Sequence, residues 1–175
     1  MSRLVKQIKE ALAAFAGCKK PPALIGGLAL TAHKVVRATQ DVDFLVDADD
    51  ADALHNLLLG LGYLCIHRSA DAANYRRSDE ALDLLFAHRP TARRLLANAE
   101  ERSTTMGRLR VISAEGLIAF KLQGYVNDPA RTQDLEDIRA LLRANRVGLN
   151  MDEVRQYFVL FEREDLLDEL LAESS

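Results

Sequence analysis

The sequence lacks the features of a membrane-spanning, fibrous or disulfide-rich protein. It has no apolar run of membrane-spanning length, no low-complexity segment, no heptad run and no internal repeat. Its two cysteines, Cys18 and Cys65, follow no metal-binding spacing, and we expect both to be reduced. Arg3, Lys6 and Lys9 interrupt the first apolar residues, which is unlike a signal peptide. We therefore expect a cytoplasmic globular protein.

The composition is that of an ordinary soluble domain, with 175 residues, 49% hydrophobic and 28% charged. A net charge of −3 argues against sequence-independent binding to nucleic acid. The charge is nevertheless uneven, because residues 1–40 carry seven Lys or Arg and one Glu, whereas residues 41–60 carry six Asp and no base. This pattern suits a polyanion held by a metal, and a chance fluctuation of surface charge explains it equally well.

One stretch organises the chain: a short apolar strand, Gly26-Gly27, a brief helix, and a second strand that begins at Asp41. Because strand side chains alternate between faces, Asp41 and Asp43 point the same way. Adjacent carboxylates repel unless a cation lies between them, and such oxygen ligands suit Mg²⁺ or Mn²⁺. Gly26 and Gly27 have no Cβ, so backbone amides there are open to a phosphate.

The remaining periodicity predicts an α/β or α+β fold, with a mixed sheet flanked by helices and a helical tail. We expect Thr91 to cap a short helix, Gly17 to end the first helix, and a turn near Asp79 to join two strands. We place the sheet-bearing core in residues 1–112 and the helical part packed on it in residues 113–175. The predicted strands are 23–25, 41–46, 63–68, 73–77, 81–86 and 109–112; the predicted helices are 2–15, about 52–61, about 91–96, 113–125, 134–146, 151–161 and 165–172.

Asp83 stands alone among the apolar residues of a predicted strand. A carboxylate in such a place needs a partner or a task, because burying an unpaired charge is unfavourable. Two interpretations remain open, a metal ligand or a structural aspartate paired with an arginine.

Gly26-Gly27, then Asp41-Val42-Asp43, then Asp83 resembles the nucleotidyltransferase superfamily that shares the fold of DNA polymerase beta. A narrower resemblance, over about residues 20–143, is to the minimal nucleotidyltransferase-like proteins grouped with the AbiEii toxins of toxin–antitoxin systems. It is carried by Gly26-Gly27-Leu28-Ala29, His33, Arg37-Ala38-Thr39, Lys121, Arg131, Asp134 and Asp137. The chain departs from the broad superfamily at Gly27, where a serine is frequent.

The resemblance implies two Mg²⁺ ions, with Mn²⁺ as a substitute, held by Asp41, Asp43 and Asp83. It implies a nucleoside triphosphate (NTP) bound by Gly26, Gly27, Arg37, Thr39, Lys121, Arg131 and Asp137. The implied reaction moves a nucleoside monophosphate to a hydroxyl of tRNA, of a protein or of a small molecule. A toxin role, with an antitoxin or other protein as partner, follows from the narrower resemblance.

Plainer interpretations of the same residues stay open. Lys121 suits a partly buried helix from which its amine reaches solvent, and Arg37 and Thr39 suit a surface turn. Arg131, Asp134 and Asp137 suit a salt-bridged helix start. His33 is expected to pack at a helix end, since no serine or cysteine accompanies it. The alternative function is a nucleotidyltransferase-like module that binds without turnover.

Overall fold

The computed structural model describes residues 1–173 and shows a mixed seven-stranded sheet with helices on both faces. The strands are β1 Ala23–Ile25, β2 Asp41–Asp47, β3 Leu64–Arg68, β4 Ala72–Arg77, β5 Glu80–Ala87, β6 Glu100–Thr104 and β7 Gly107–Val111. The helices are α1 Arg3–Ala14, α2 Gly26–Leu30, α3 Ala51–Gly60, α4 Pro90–Ala97, α5 Ala114–Asn127, α6 Thr132–Ala144, α7 Met151–Leu160 and α8 Glu164–Glu173. This confirms the predicted fold class.

The order of strands in the sheet is β3-β4-β5-β2-β1-β7-β6. β2 runs parallel to β5 and antiparallel to β1, and β1 runs parallel to β7. This register places Asp43 between Ile25 on β1 and Asp83 on β5. The pairing of β2 with β5 therefore brings together carboxylates that are 40 positions apart in the sequence.

The two faces of the sheet have different tasks. Phe44 and Tyr75 are buried on one face, where Phe15 meets Phe44 edge to face and His55 of α3 bonds to the Tyr75 hydroxyl. Arg77 ties α1 to this part of the sheet through its pairs with Glu10 and Glu80. The opposite face carries Asp41, Asp43 and Asp83 and is covered by α5. One apolar core joins these layers to the C-terminal helices.

Several local predictions are confirmed. The predicted turn near Asp79 joins β4 to β5, and helices lie close to the predicted ranges 113–125 and 151–161. At their starts the Ser113 hydroxyl accepts from the Gly116 amide at 3.1 Å, and Asn150 caps α7. Cys18 and Cys65 are free thiols. No helix within residues 1–173 is long and apolar enough to cross a membrane. The division at residue 112 stays a prediction.

Two local predictions are wrong, and the set of predicted strands is incomplete. Thr91 does not cap α4, because the helix already begins at Pro90, whose fixed φ favours a first helical position. Gly17 does not end α1, since Phe15 is the C-cap and Gly17 closes the 3₁₀ turn that follows. Strand β6 was not predicted, because its residues are nearly all exposed and polar.

Candidate functional site

Three carboxylates, here called the sheet acids, lie on the face of the sheet that α5 covers: Asp41, Asp43 and Asp83. Asp41 and Asp43 face the cleft, whereas Val42 and Phe44 between and beside them are buried on the other side. The predicted alternation along β2 is thus confirmed. Asp83 joins the set because it is the register partner of Asp43.

Asp43 shows the electrostatic state of the sheet acids. Its burial, together with the charges of Asp83 and Asp41, raises the pKa of Asp43 to about 7. Lys121 and Arg131 act in the opposite direction but do not cancel this rise. Asp43 therefore lies where its negative charge is disfavoured, and the cations of the protein do not fully offset this.

Asp83 is held by two residues of the neighbouring strand. Asn74 Nδ2 and Arg76 Nη1 both donate to Asp83 Oδ1, each at 2.9 Å. The arginine-paired interpretation of Asp83 is therefore partly correct, yet the residue also lines the cleft. One oxygen is engaged by β4, and the carboxylate faces the other two acids.

The chemistry of this donor set fits a divalent cation. Within the part of the chain that the structure describes, no three His, Cys, Asp or Glu side chains converge closely enough to form a metal-binding group as they stand. The sheet acids nevertheless offer only hard oxygen donors, which Mg²⁺ prefers. Because the charges of Asp83 and Asp41 add to the effect of burial in raising the pKa of Asp43, a cation there would relieve repulsion.

The loop after β1 closes tightly against these acids. Gly26 has a φ of +69°, and a Cβ at this position would lie 2.8 Å from Asp43 Cγ. At Gly27 a Cβ would lie 3.0 Å from the Cβ and Cγ2 atoms of Thr39 and 3.1 Å from Arg37 Nη2. The space that a serine would need at position 27 is thus filled by Thr39 and Arg37.

A network of charges, here called the ion cluster, lies beside this loop and consists of Arg37, Lys121, Arg131, Asp134 and Asp137. Its centre is Asp137, which is only 2% exposed. Arg37 contacts both Asp137 oxygens: Nη2 donates to Oδ2 at 3.0 Å, and Nε lies 2.9 Å from Oδ1. Lys121 Nζ lies 2.9 Å from Asp137 Oδ2. Lys121 also contacts Asp134 at 3.2 Å, and Arg131 Nε lies 2.7 Å from Asp134. The ion cluster ties the segment before β2 to α5 and α6.

Most of these groups meet at a cleft of about 850 Å³. The predicted site residues that line it are Gly26, Gly27, Arg37, Thr39, Asp41, Asp43, Asp83, Lys121 and Arg131. Asp137 does not line it and instead contacts Arg37 and Lys121 from behind. His33 is buried and bonds to the Ile112 carbonyl at 2.7 Å, as expected of a structural residue.

The sequence did not single out other residues at the cleft. Asn74, Asp71 and His88 line its β4–β5 side, and Phe120 and Phe161 line the helical side. A two-residue turn at Ser78-Asp79 fixes the register that places Asn74 opposite Asp83, so the hairpin was a usable signal for Asn74. The others become neighbours only through tertiary packing.

No protein-family model and no curated protein matches this chain, but solved structures do. The antibiotic-resistance factor ANT(2'')-Ia is 19% identical, with a TM-score of 0.69 over 98% of this chain and 97% of that chain. The lincosamide antibiotic adenylyltransferase LnuA is 20% identical, with a TM-score of 0.58 over 78% of this chain and 94% of that chain.

The nucleotidyltransferase toxin MenT4 from Mycobacterium tuberculosis is 19% identical, with a TM-score of 0.60. That alignment covers 90% of this chain and 62% of MenT4. At these identities the likeness establishes the fold. The chain has the nucleotidyltransferase fold, and the resemblance inferred from the sequence is confirmed at that level.

Proposed function

We propose that this protein is a Mg²⁺-dependent nucleotidyltransferase that moves a nucleoside monophosphate from an NTP to an acceptor hydroxyl. One observation supports the proposal most directly. A single cleft is lined by the sheet acids, whose member Asp43 has a raised pKa, by the glycine loop at Gly26 and Gly27, and by the cations of the ion cluster. Nucleotidyl transfer needs positioning and neutralisation of charge more than other catalytic groups.

In this proposal Asp41, Asp43 and Asp83 would hold Mg²⁺, which when bound neutralises phosphate charge and activates the attacking hydroxyl. Gly26 and Gly27 give the β- and γ-phosphates close access to the backbone. Thr39, whose Cβ and Cγ2 atoms pack against Gly27, would offer its hydroxyl to the phosphates in place of the serine that is frequent in the broad superfamily. The three cations and two aspartates of the ion cluster leave one net positive charge for the phosphates.

The transfer is an in-line displacement at the α-phosphorus. The acceptor oxygen forms a bond to this phosphorus as the bond to the bridging oxygen breaks, and pyrophosphate leaves with the electron pair. Asp83 takes the hydroxyl proton, since Asn74 and Arg76 fix its orientation at the edge of the sheet acids.

We propose a small molecule as the acceptor. The chain matches nearly the full length of ANT(2'')-Ia and LnuA, which are an antibiotic-resistance factor and an antibiotic adenylyltransferase. The match to MenT4, a toxin, covers only 62% of that chain, so it supports the choice of acceptor less directly. We therefore rank a small acceptor above tRNA or a protein, and a toxin with an antitoxin partner below these.

The test is Mg²⁺-dependent pyrophosphate release from each of four NTPs, with α-labelled NTP to trace the acceptor in total cell extract. We expect label in the small-molecule fraction, and at least a hundredfold loss of rate in Asp43→Asn. Asp52→Asn is the matched control, because the Asp52 side chain is 92% exposed and outside the cleft.

A second function, nucleotide binding without turnover, is favoured by the Arg76 contact to Asp83, which resembles a structural ion pair. Calorimetric titration with Mg²⁺ and a non-hydrolysable NTP analogue separates the two. Tight binding with no labelled product in any fraction would support the binding module. Absence of both binding and turnover would contradict either function.

A further inference from the structure

The cleft has a second polar group that the proposed reaction has not used. Asp71, before β4, and His88, after β5, line the cleft and form a pair, with His88 Nε2 2.5 Å from Asp71 Oδ1. The backbone of Asp71 is fixed, because its carbonyl accepts from the Phe86 amide at 2.9 Å. The pair is thus attached to the end of β5 rather than to a free loop.

The position of this pair follows from the direction of the strands. Gly26 and Thr39 lie near the start of β2, beside Asp41 and Asp43, and mark the phosphate end of the cleft. β5 runs parallel to β2, so the chain passes from Asp83 toward His88 in the direction away from that end. Phe86 lies three positions after Asp83 along the strand, which corresponds to about 10 Å.

In-line displacement places the attacking oxygen opposite the leaving pyrophosphate. If pyrophosphate leaves toward Gly26 and Thr39, the acceptor approaches from the side of Leu85 and His88. An acceptor whose hydroxyl lies near Asp83 therefore extends about 10 Å along β5 to reach Asp71. This is the span of a molecule of one or two rings.

The chemistry of the pair selects the acceptor. His88 Nε2 contacts Asp71 Oδ1, and the 67% exposed Asp71 side chain retains a second oxygen, Oδ2, as a hydrogen-bond acceptor. An ammonium group donates a charge-assisted hydrogen bond to a carboxylate oxygen, which is stronger than the bond that a neutral hydroxyl donates.

We propose that Asp71, oriented by His88, recognises an amine on the acceptor, which is a small amino alcohol or amino sugar. This inference rests on the proposed function and names its substrate class. Asp71 is a specificity-determining residue, and His88 is a positioning residue that acts through Asp71. Arg89 lines the same end of the cleft, and an anionic acceptor would depend on it instead.

The test uses tobramycin as an amine-rich probe and sucrose as a neutral polyol, in steady-state assays with Mg²⁺ and the preferred NTP. We expect turnover with tobramycin and a 10- to 100-fold higher KM for it in Asp71→Asn, with kcat changed less than threefold. His88→Ala should raise the same KM, whereas His88→Gln, which retains an Nε2 donor, should restore it. Asp52→Asn is the control.

Two outcomes would overturn the inference while leaving nucleotidyl transfer intact. One is equal use of sucrose and tobramycin with no effect of Asp71→Asn. The other is a KM that rises in Arg89→Gln but not in Asp71→Asn, which would indicate an anionic acceptor.

A calorimetric titration distinguishes failure of the amine site from failure of the proposed transferase function. Tobramycin is titrated into the wild-type protein in the presence of Mg²⁺ and a non-hydrolysable NTP analogue. Binding that Asp71→Asn weakens, without turnover, supports the amine site and contradicts the transferase. No binding and no turnover contradict the amine site.

Discussion

The sheet acids and the acids of the ion cluster are the same residue type in neighbouring parts of the molecule, but their charges are balanced differently. Asp134 and Asp137 are buried and meet three cations, so their charges are neutralised within the protein. Burial and like charges instead raise the pKa of Asp43. An unbalanced buried charge indicates a functional site, whereas a balanced one indicates a scaffold.

The largest expected effect comes from breaking the balanced side. Asp137→Asn leaves the buried Lys121 and the half-buried Arg37 without their shared counter-charge. We expect the free energy of unfolding to fall by about 3–5 kcal/mol, measured by urea denaturation.

Glu136→Gln is the matched control on α6, since Glu136 is exposed and pairs only with Arg139 among the described contacts. It should change the free energy of unfolding by less than about 0.5 kcal/mol. A loss below about 1 kcal/mol for Asp137→Asn would show that the ion cluster is not the scaffold we describe.

The next effect concerns the glycine loop after β1, which lies between the sheet acids and the ion cluster. Gly26→Ala forces a Cβ against the Asp43 carboxylate at a residue with positive φ. We expect a loss of about 3 kcal/mol in the same urea measurement, from backbone strain and displacement of Asp43. Gly60→Ala is the control, because no atom lies within 4 Å of the position of its Cβ. If both variants were equally stable, the close approach of the loop to Asp43 would be wrong.

The smallest effect should have the opposite sign. Asp43→Asn removes an unbalanced charge, so in the absence of divalent metal we expect it to stabilise the protein by about 2 kcal/mol at pH 8. The pKa of Asp43 is raised to about 7 in the folded protein. Between about pH 4 and pH 7 the wild type therefore loses stability as pH rises, because the unfolded chain releases this proton first. The variant should lack that slope in urea titrations across pH.

Mg²⁺ sharpens this last test. At about ten to thirty times its Kd it should stabilise the wild type by about 1–2 kcal/mol and leave Asp43→Asn unchanged. If Asp43→Asn had a lower free energy of unfolding than the wild type in the absence of metal, Asp43 would be a structural residue instead.

Local patterns in the sequence predicted much of the fold. Alternation along β2 was enough to place Asp41 and Asp43 on one face, and the buried strands had clear apolar patterns. β6 could not be found in this way, because an edge strand exposes Glu100 to Ser103 and shows no buried face. Its presence depends on pairing with β7 rather than on its own burial.

The sequence predicted the carboxylates and glycines of the candidate site, but it did not predict which side chains contact those carboxylates. Arg76 reaches Asp83 through the register of β4 on β5, and Lys121 reaches Asp137 through the packing of α5 on α6. The pair of Asp71 and His88 joins two loops that are 17 positions apart. Such contacts depend on tertiary geometry, which no local periodicity contains.

The short strand β1 also constrains how the chain acquires its fold. Leu24 pairs with Val111, and the Ile112 amide donates to the Leu24 carbonyl at 3.2 Å. Contacts between such distant positions slow folding, since a long loop must close before they form. During synthesis on the ribosome, β1 has only its β2 neighbour until Val111 emerges. The glycine loop that continues from β1 therefore gains its full support late, after most of the chain has left the exit tunnel.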